Sequence, residues 1–366
     1  MTGENFPLIL NTSWFRLSLV KEIMNMKKLN VTLAILVAAV MAGNAQTVTS
    51  DIVGYNTITA SANGGTGTKY SLLAVNLLNA PSFVGTLNGS LTAAANSFTA
   101  GQYNQGTTYP KYYAEITSGS NAGSQADIVS NTTDTLTVVG NSSFQTAVGA
   151  GATVTIRKHR TMADVFGGSS GTTSASDVVL AKGATLGAAD NVLIKEGGVD
   201  KIFYYSSNAL KAGWRDSAGG VATDRPIYPN QGIIVARKSN SAATITVVGS
   251  VKTGLSFIDL PAGYNLVSLP APSDMTLTSA FGGLAGTTGA TDVKIAKGAT
   301  LGAADNILVA KTDGTYEIYY YSSNALKAGW RNSAGTASST VAINGSTSVF
   351  VKKIANGNMS VTQISQ

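Results

Sequence analysis

The sequence predicts an all-β protein built of tandem β-sandwich or small β-barrel units, with short strands and turns rich in Gly, Ser and Thr. Three observations predict it. Apolar segments such as TLTVVG (135–140), KIFYYSS (201–207) and ATITVVG (243–249) are short, β-branched or aromatic, and bounded by Gly, Asn, Asp, Ser or Pro. Glycine supplies 40 of 366 residues while charged residues supply only 12%, about half the usual share of roughly 25%. Long stretches of the chain also repeat one another. The 44% hydrophobic content is enough to bury cores, which separates this composition from that of a disordered chain.

The first element is a leader. Met26, Lys27 and Lys28 precede an apolar run over 29–42 (LNVTLAILVAAVMA), followed by Gly43-Asn44-Ala45. A basic start, a short apolar core and small residues before the cut predict a secretory signal peptide over 1–45, cleaved after Ala45. Translation is expected from Met24 or Met26. As a helix the run reaches only about 21 Å, short of the roughly 30 Å hydrocarbon layer. The mature chain, from Gln46, keeps 21 basic and 17 acidic residues, net +4. It is expected at the cell surface or outside the cell, with the periplasm as the other compartment. Having no cysteine, it lacks disulfides, thiolate metal sites and a thioether lipid anchor. No apolar run in it approaches the length of a membrane helix. An outer-membrane barrel is the competing reading of the strands, but the terminal Thr-Gln-Ile-Ser-Gln lacks the aromatic close of such barrels.

The mature chain then divides into units at 46–160, 161–260 and 261–366, with joints placed near Arg160 and Pro261. The last two are near copies. Ala181–Asn191 (AKGATLGAADN) recurs at 296–306, and Tyr205–Arg215 (YSSNALKAGWR) recurs at 321–331. The offset changes from 115 to 116 between them, a one-residue slip expected in a hairpin loop. Phe166-Gly167-Gly168 answers Phe281-Gly282-Gly283, and IIVARK (233–238) answers SVFVKK (348–353). The MADVFGG and LTSAFGG stretches each predict a helical turn or two. The first unit is read as a diverged third copy: VGYNTIT (53–59) and YSLLAVNLL (70–78) parallel GLSFIDL (254–260) and YNLVSLP (264–270), and ATVTIRK (152–158) matches the basic close. Units of this size fit tandem domains better than a solenoid.

GYNLVSLP (263–270), IYYYSS (318–323), GWR (329–331) and NQGIIVARK (230–238), with SDIVGY (50–55) near the start, resemble a module of bacterial secreted proteins of verrucomicrobial type. That module opens on G-[WY]-N-L-[IV]-S-x-P, passes through an aromatic strand and a Gly-Trp element, and closes on G-x-G-x-x-V. The last unit departs from it by closing with NGSTSVFVKK (344–353), and the first has no Trp. The resemblance implies export and a β-rich surface or extracellular role, with no known catalysis.

Candidate chemistry is sparse. The single histidine, His159, lies in Arg157-Lys158-His159-Arg160 and reads as part of a solvated linker. Gly167-Gly168-Ser169-Ser170-Gly171 matches a nucleophile elbow by letters, but the strand–helix alternation such an elbow needs is missing, and Ser169 becomes Leu284 in the second copy. Asp190 and Asp305, each in LGAADN, read as Asp-Asn turns, with calcium ligation or acid–base work as the functional alternative. The basic doublets Arg157-Lys158, Arg237-Lys238 and Lys352-Lys353 read as solvated strand ends or as contacts for an acidic polysaccharide.

The aromatic motif carries the sharpest expectation. Trp214-Arg215 and Trp330-Arg331 are repeated beside Tyr204 and Tyr320, each the middle of three consecutive aromatics. Side chains alternate faces along a strand, so one of the three points away from the others. The six residues therefore form a candidate platform for stacking on a glycan or docking a protein, against a core packing of the indoles. No metal, cofactor or catalytic residue is assigned, and a dilute +4 argues against nucleic acid. The expected function is a non-enzymatic structural or cell-surface component, self-assembling into a layer or fibre or bound to other surface proteins. A carbohydrate-binding module on the Trp/Tyr platforms is the alternative.

Overall fold

The computed structural model describes residues 52–362 except 66, 150 and 312; the expected leader lies outside the described residues. The chain is all-β, in small, open, antiparallel sheets. It begins with Val53–Ala60 (β1), Lys69–Ala74 (β2) and Leu77–Leu78 (β3). Next come Pro81–Leu87 (β4), Tyr112–Ile116 (β5), Gln125–Asn131 (β6), Leu136–Val138 (β7), the helix Asn141–Val148 (α1) and Ala152–Lys158 (β8). Arg160–Thr161 (β9), the helix Met162–Phe166 (α2), Asn191–Glu196 (β10), Val199–Ser206 (β11), Gly213–Asp216 (β12), Pro226–Ile227 (β13), Gly232–Arg237 (β14) and Ala243–Val251 (β15) follow. The last part holds Leu255–Leu260 (β16), Gly263–Val267 (β17), Met275–Thr276 (β18), the helix Leu277–Phe281 (α3) and a 3-10 turn at Leu301–Ala303. It ends with Asn306–Ala310 (β19), Tyr316–Ser322 (β20), Gly329–Asn332 (β21), Ala342–Ile343 (β22), Val349–Lys353 (β23) and Gly357–Thr362 (β24).

Sheet membership redraws the expected units. β1 pairs with β15 and β2 with β14, so residues 53–78 belong with 160–251 and form one N-terminal repeat. β16 pairs with β24, so the C-terminal repeat begins before Leu255, not at Pro261. Pro261 separates two strands of one unit, and as a turn residue it imitates a linker. Residues 81–158 form an inserted domain that interrupts the N-terminal repeat between β3 and β9. Each body has its own core: Ile58, Phe166 and Trp214 in the N-terminal repeat, Phe281, Trp330 and Val361 in the C-terminal repeat, and Leu87, Ile128 and Val154 in the insert.

One topology recurs in all three. The five-stranded sheets run β2-β14-β10-β11-β12, β17-β23-β19-β20-β21 and β4-β8-β5-β6-β7. In each, the first strand is at the edge, the last lies beside it, and the middle three form a meander. The insert therefore shares the strand order of the repeats, opening on β4 and closing on ATVTIRK, whereas the segments 53–59 and 70–78 open the N-terminal repeat, where β1 and β2 take the places of β16 and β17. The insert replaces the tryptophan of the repeats with a chain of edge-on rings, Phe83–Phe98–Tyr103–Tyr112, with centroids 4.9, 5.6 and 5.2 Å apart.

Local chemistry explains the short helices. Thr161 caps α2 through the Asp164 amide, and Asp164 reaches back to the Thr161 N–H. Thr276 and Ser279 do the same for α3. Gly168 and Gly283 follow with φ of 84° and 86°, and a Cβ on either would lie 2.2 Å from the ring of Tyr205 or Tyr321. The Gly-Gly pair is a site of close approach, which accounts for its recurrence without any nucleophile. The one-residue slip falls in the β10–β11 and β19–β20 hairpins, which close at Glu196↔Val199 and at Lys311 N–H to Thr315 C=O.

The two repeats dock through equivalent residues. Ala74 N–H donates to the Ser346 carbonyl at 3.0 Å, and Ser268 N–H donates to the Asn230 carbonyl at 2.9 Å. By strand register Ala74 corresponds to Ser268, and Asn230 to Ser346. The contact is thus reciprocal, a local two-fold arrangement of the isologous kind. Gly232 sits where a Cβ would lie 2.5 Å from the Leu266 side chain and 2.8 Å from that of Ser348, so its bare backbone packs directly on both. Buried Asn76 locks the contact with bonds of 2.6 Å to the carbonyls of both Ala271 and Gly345. The same register corrects the repeat alignment: Arg237 corresponds to Lys353 at offset 116, not to Lys352.

Candidate functional site

The Trp/Tyr platform is interior. Trp214 is 0% exposed and Trp330 is 2% exposed. Each indole N–H donates to the carbonyl of the first glycine after a short helix, Gly167 at 2.7 Å and Gly282 at 2.8 Å. Each ring meets a tyrosine edge-on, Tyr205 or Tyr321, at 5.6 Å. Tyr204 and Tyr320 do point to the opposite face, as alternation requires, but they too are buried. Asn191, register partner of Tyr204, pins the loop before β10 against the sheet through the Leu186 and Ala189 carbonyls, and Asn306 does the same with Leu301 and Ala304. Arg215 and Arg331 spend their guanidinium groups on carbonyls of their own loops, Lys211 and Ala212 or Lys327 and Ala328. The four rings are buried framework and present no stacking surface, and the half-buried arginines brace their loops. Strand alternation alone could not say that both faces are covered.

Asp190 and Asp305 are neither simple turns nor calcium ligands. Asp190 is buried and accepts from the Ala181 amide at 2.7 Å, the Lys238 amide at 2.7 Å and the Arg237 guanidinium. Asp305 accepts from the Ala296 amide at 2.7 Å, the Ile354 amide at 2.9 Å and the Lys353 ammonium. Arg237 and Lys353 are therefore buried partners, a correction to their reading as solvated strand ends or polyanion contacts. Each carboxylate fastens the loop before the second sheet strand to the end of the last. Among the described residues no cluster of three or more His, Asp and Glu is arranged to hold a metal ion.

His159 was expected in a solvated linker, and the structure buries it to 2% exposure. It lies where the chain returns from the insert to the N-terminal repeat, between β8 and β9. The crossing is held from both sides. Asn79, at the outgoing crossing, donates to the Lys158 and His159 carbonyls at 3.1 and 3.2 Å. Arg160, whose basicity is lowered by burial, donates to the Leu77 carbonyl at 2.6 Å. The His159 ring is then enclosed by groups from both bodies. Its Nε2 lies 2.8 Å from Oδ1 of Asp127 on β6. Tyr228, just after β13, donates to the other oxygen of Asp127 at 3.1 Å. Tyr113 of β5 lies over the imidazole at 4.8 Å between centroids, and Tyr228 meets it edge-on at 5.0 Å.

The electrostatics follow from that enclosure. Burial first, and then the Asp127 charge, push the Tyr228 hydroxyl up to about 12. Burial raises the Tyr113 hydroxyl further. Both phenols are therefore hydrogen-bond donors at physiological pH. An open cleft of about 270 Å³ adjoins the cluster, lined by Tyr113, Gln125, Ala126, Asp127, Val139, His159 and Tyr228. Three polar atoms of its lining side chains have no partner: Tyr113 Oη, Gln125 Nε2 and His159 Nδ1. The insert also braces the link between the repeats. There Glu115 of β5 pairs with Lys252, whose ammonium burial lowers to about 8.

No sequence signal marked this cluster. Asp127 and Tyr228 are 101 residues apart and meet only because the insert folds back. The one usable signal was that His159 is the only histidine in the chain. No family model matches the chain, and no curated protein or solved structure matches it. No helix among the described residues is long and apolar enough to cross a membrane.

Proposed function

We propose that the protein is an exported, non-enzymatic structural component of the cell surface or extracellular matrix, and that it self-assembles through a repeated loop. One observation carries this reading. The segment SSNALKAG is identical in both repeats, and its leucines, Leu210 and Leu326, are 94% and 93% exposed. Asn208 shapes the loop by accepting from the Leu210 amide at 2.9 Å, and Asn324 does the same for Leu326. Arg215 and Arg331 brace it from below. The loop is held in shape while its apolar tip does nothing for the interior.

Two identical tips on one molecule make it bivalent, and bivalency is what an extended assembly needs. The contact between the repeats is reciprocal and uses both of its surfaces, so growth through that contact is closed. A net charge of +4 on the mature chain adds little repulsion between copies. Light scattering and negative-stain electron microscopy of the mature chain test the reading. Layers or fibres are expected, with L210D or L326D alone stopping growth at small oligomers and the double variant leaving monomers. A wild-type chain that stays monomeric when concentrated, or a double variant that assembles normally, rejects it.

A further inference from the structure

A buried ion pair fastens the insert to the link between the repeats. Glu115 of β5 meets Lys252, which lies between β15 and β16, and each side chain is 4% exposed. Glu115 stands in register between Thr155 of β8 and Gln125 of β6, neither of them charged. The turn after β5 also reaches the C-terminal repeat, where the Gly123 carbonyl accepts from the Phe257 amide at 3.3 Å.

The surroundings of this pair set it apart. Asp190 and Asp305 each accept two backbone amides besides their cation, and such bonds favour the carboxylate form. The Lys195–Asp200 and Lys311–Glu317 pairs are open to water, which solvates both charges. Among the described residues, Glu115 and Lys252 have no other ion pair or side-chain hydrogen bond. Burial lowers the Lys252 ammonium to about 8, so its amine form is accessible near neutral pH. Enclosed charges lose solvation that their attraction repays only in good geometry, and moving the proton from Nζ to the carboxylate removes both.

We propose that Lys252 Nζ and Glu115 Cδ join in an intramolecular amide bond, a covalent strap between the insert and the inter-repeat link. The ammonium first gives a proton to the carboxylate. The neutral amine then attacks Cδ, the C–N bond forms and the C–O bond breaks. The hydroxyl leaves as water with a proton from the nitrogen, so ammonium and carboxylate become amide and water without a co-reactant. Well-oriented groups held together react at effective concentrations of up to about 10⁵–10⁸ M. A chain with no cysteine has no disulfide to serve as such a strap.

Mass spectrometry of the purified full chain, denatured, tests the proposal. The wild type is expected to weigh one water less than its sequence. Trypsin is expected to leave residues 112–157 and 239–294 as one branched peptide, uncut after Lys252. K252R keeps the positive charge, but its guanidinium stays protonated and cannot condense, so its mass is expected to be complete. The proposal is overturned if the wild-type mass is complete, if the two peptides separate, or if K252R loses the same water. The branched peptide decides the matter even where the variant folds poorly.

Discussion

Replacing Asp305 by Ala removes the carboxylate that joins three groups inside the C-terminal repeat. Asp305 is 0% exposed and Lys353 is 8% exposed. The change strands the Lys353 ammonium and leaves the Ala296 and Ile354 amides without their acceptor. Removing one partner of a buried ion pair costs about 3–5 kcal/mol. An unsatisfied buried donor costs about 1–3 kcal/mol, which partial access to water reduces here. A loss of about 5 kcal/mol is therefore expected, equal to the whole stability of a weak domain. At about 4 °C per kcal/mol for a body of this size, the unfolding midpoint of the C-terminal repeat falls by about 20 °C. Calorimetry gives the midpoint, and hydrogen exchange by mass spectrometry assigns it to residues 255–362. D305A/K353M removes the stranded charge and should recover about 2 kcal/mol or more of the loss. A D305A loss under about 1 kcal/mol, or a double variant no more stable than D305A, would refute the reasoning. D190A and R237M form the same test in the N-terminal repeat, where Arg237 is the buried partner.

Three further outcomes follow from the same geometry. W214F leaves the Gly167 carbonyl unpaired and a void beside Phe166, so denaturant unfolding should show a loss of about 2–3 kcal/mol; in the wild type the indoles of Trp214 and Trp330 should resist iodide quenching. G232V drives a side chain into Leu266 and Ser348 at the local two-fold axis, and hydrogen exchange should rise at 266–271 and 345–348 while the cores stay protected. Asp292 is held below its ordinary value by amide bonds from Gly283 and Leu284, so its ionised form stabilises the fold. That contribution is complete above 3.8 and disappears as pH falls through the lower folded value. D292N keeps an acceptor for both amides, so its urea midpoint should drop less than that of the wild type on acidification; an equal drop would remove Asp292 from the account.

The strands were legible because each rests on local pattern: β-branched or aromatic runs between turn residues, as in ATITVVG and EIYYYSS. Repeats were legible because identity needs no structure to be seen. Their meaning was not. Asp190 lies 47 residues from Arg237, and Asp305 lies 48 from Lys353; no sequence window shows that they touch. The linear reading also took Arg237 and Lys353 for surface charges because a strand end is normally wet, and missed that each ends against a carboxylate.

The sequence by itself determined the class of structure, the recurrence of its sheet strands and the short helical turns in MADVFGG and LTSAFGG. These depend on residues within a few positions of one another. Tertiary structure alone decided which strand joins which sheet. β1 pairs with β15 across more than 180 residues, so the insert opens inside a repeat and not beside it. That nesting brings Asp127, His159 and Tyr228 together, while each tryptophan is buried in the core of its own repeat. Adjacency in a sheet is set by hydrogen bonding and core burial between distant segments, and neither is written in the order of the chain.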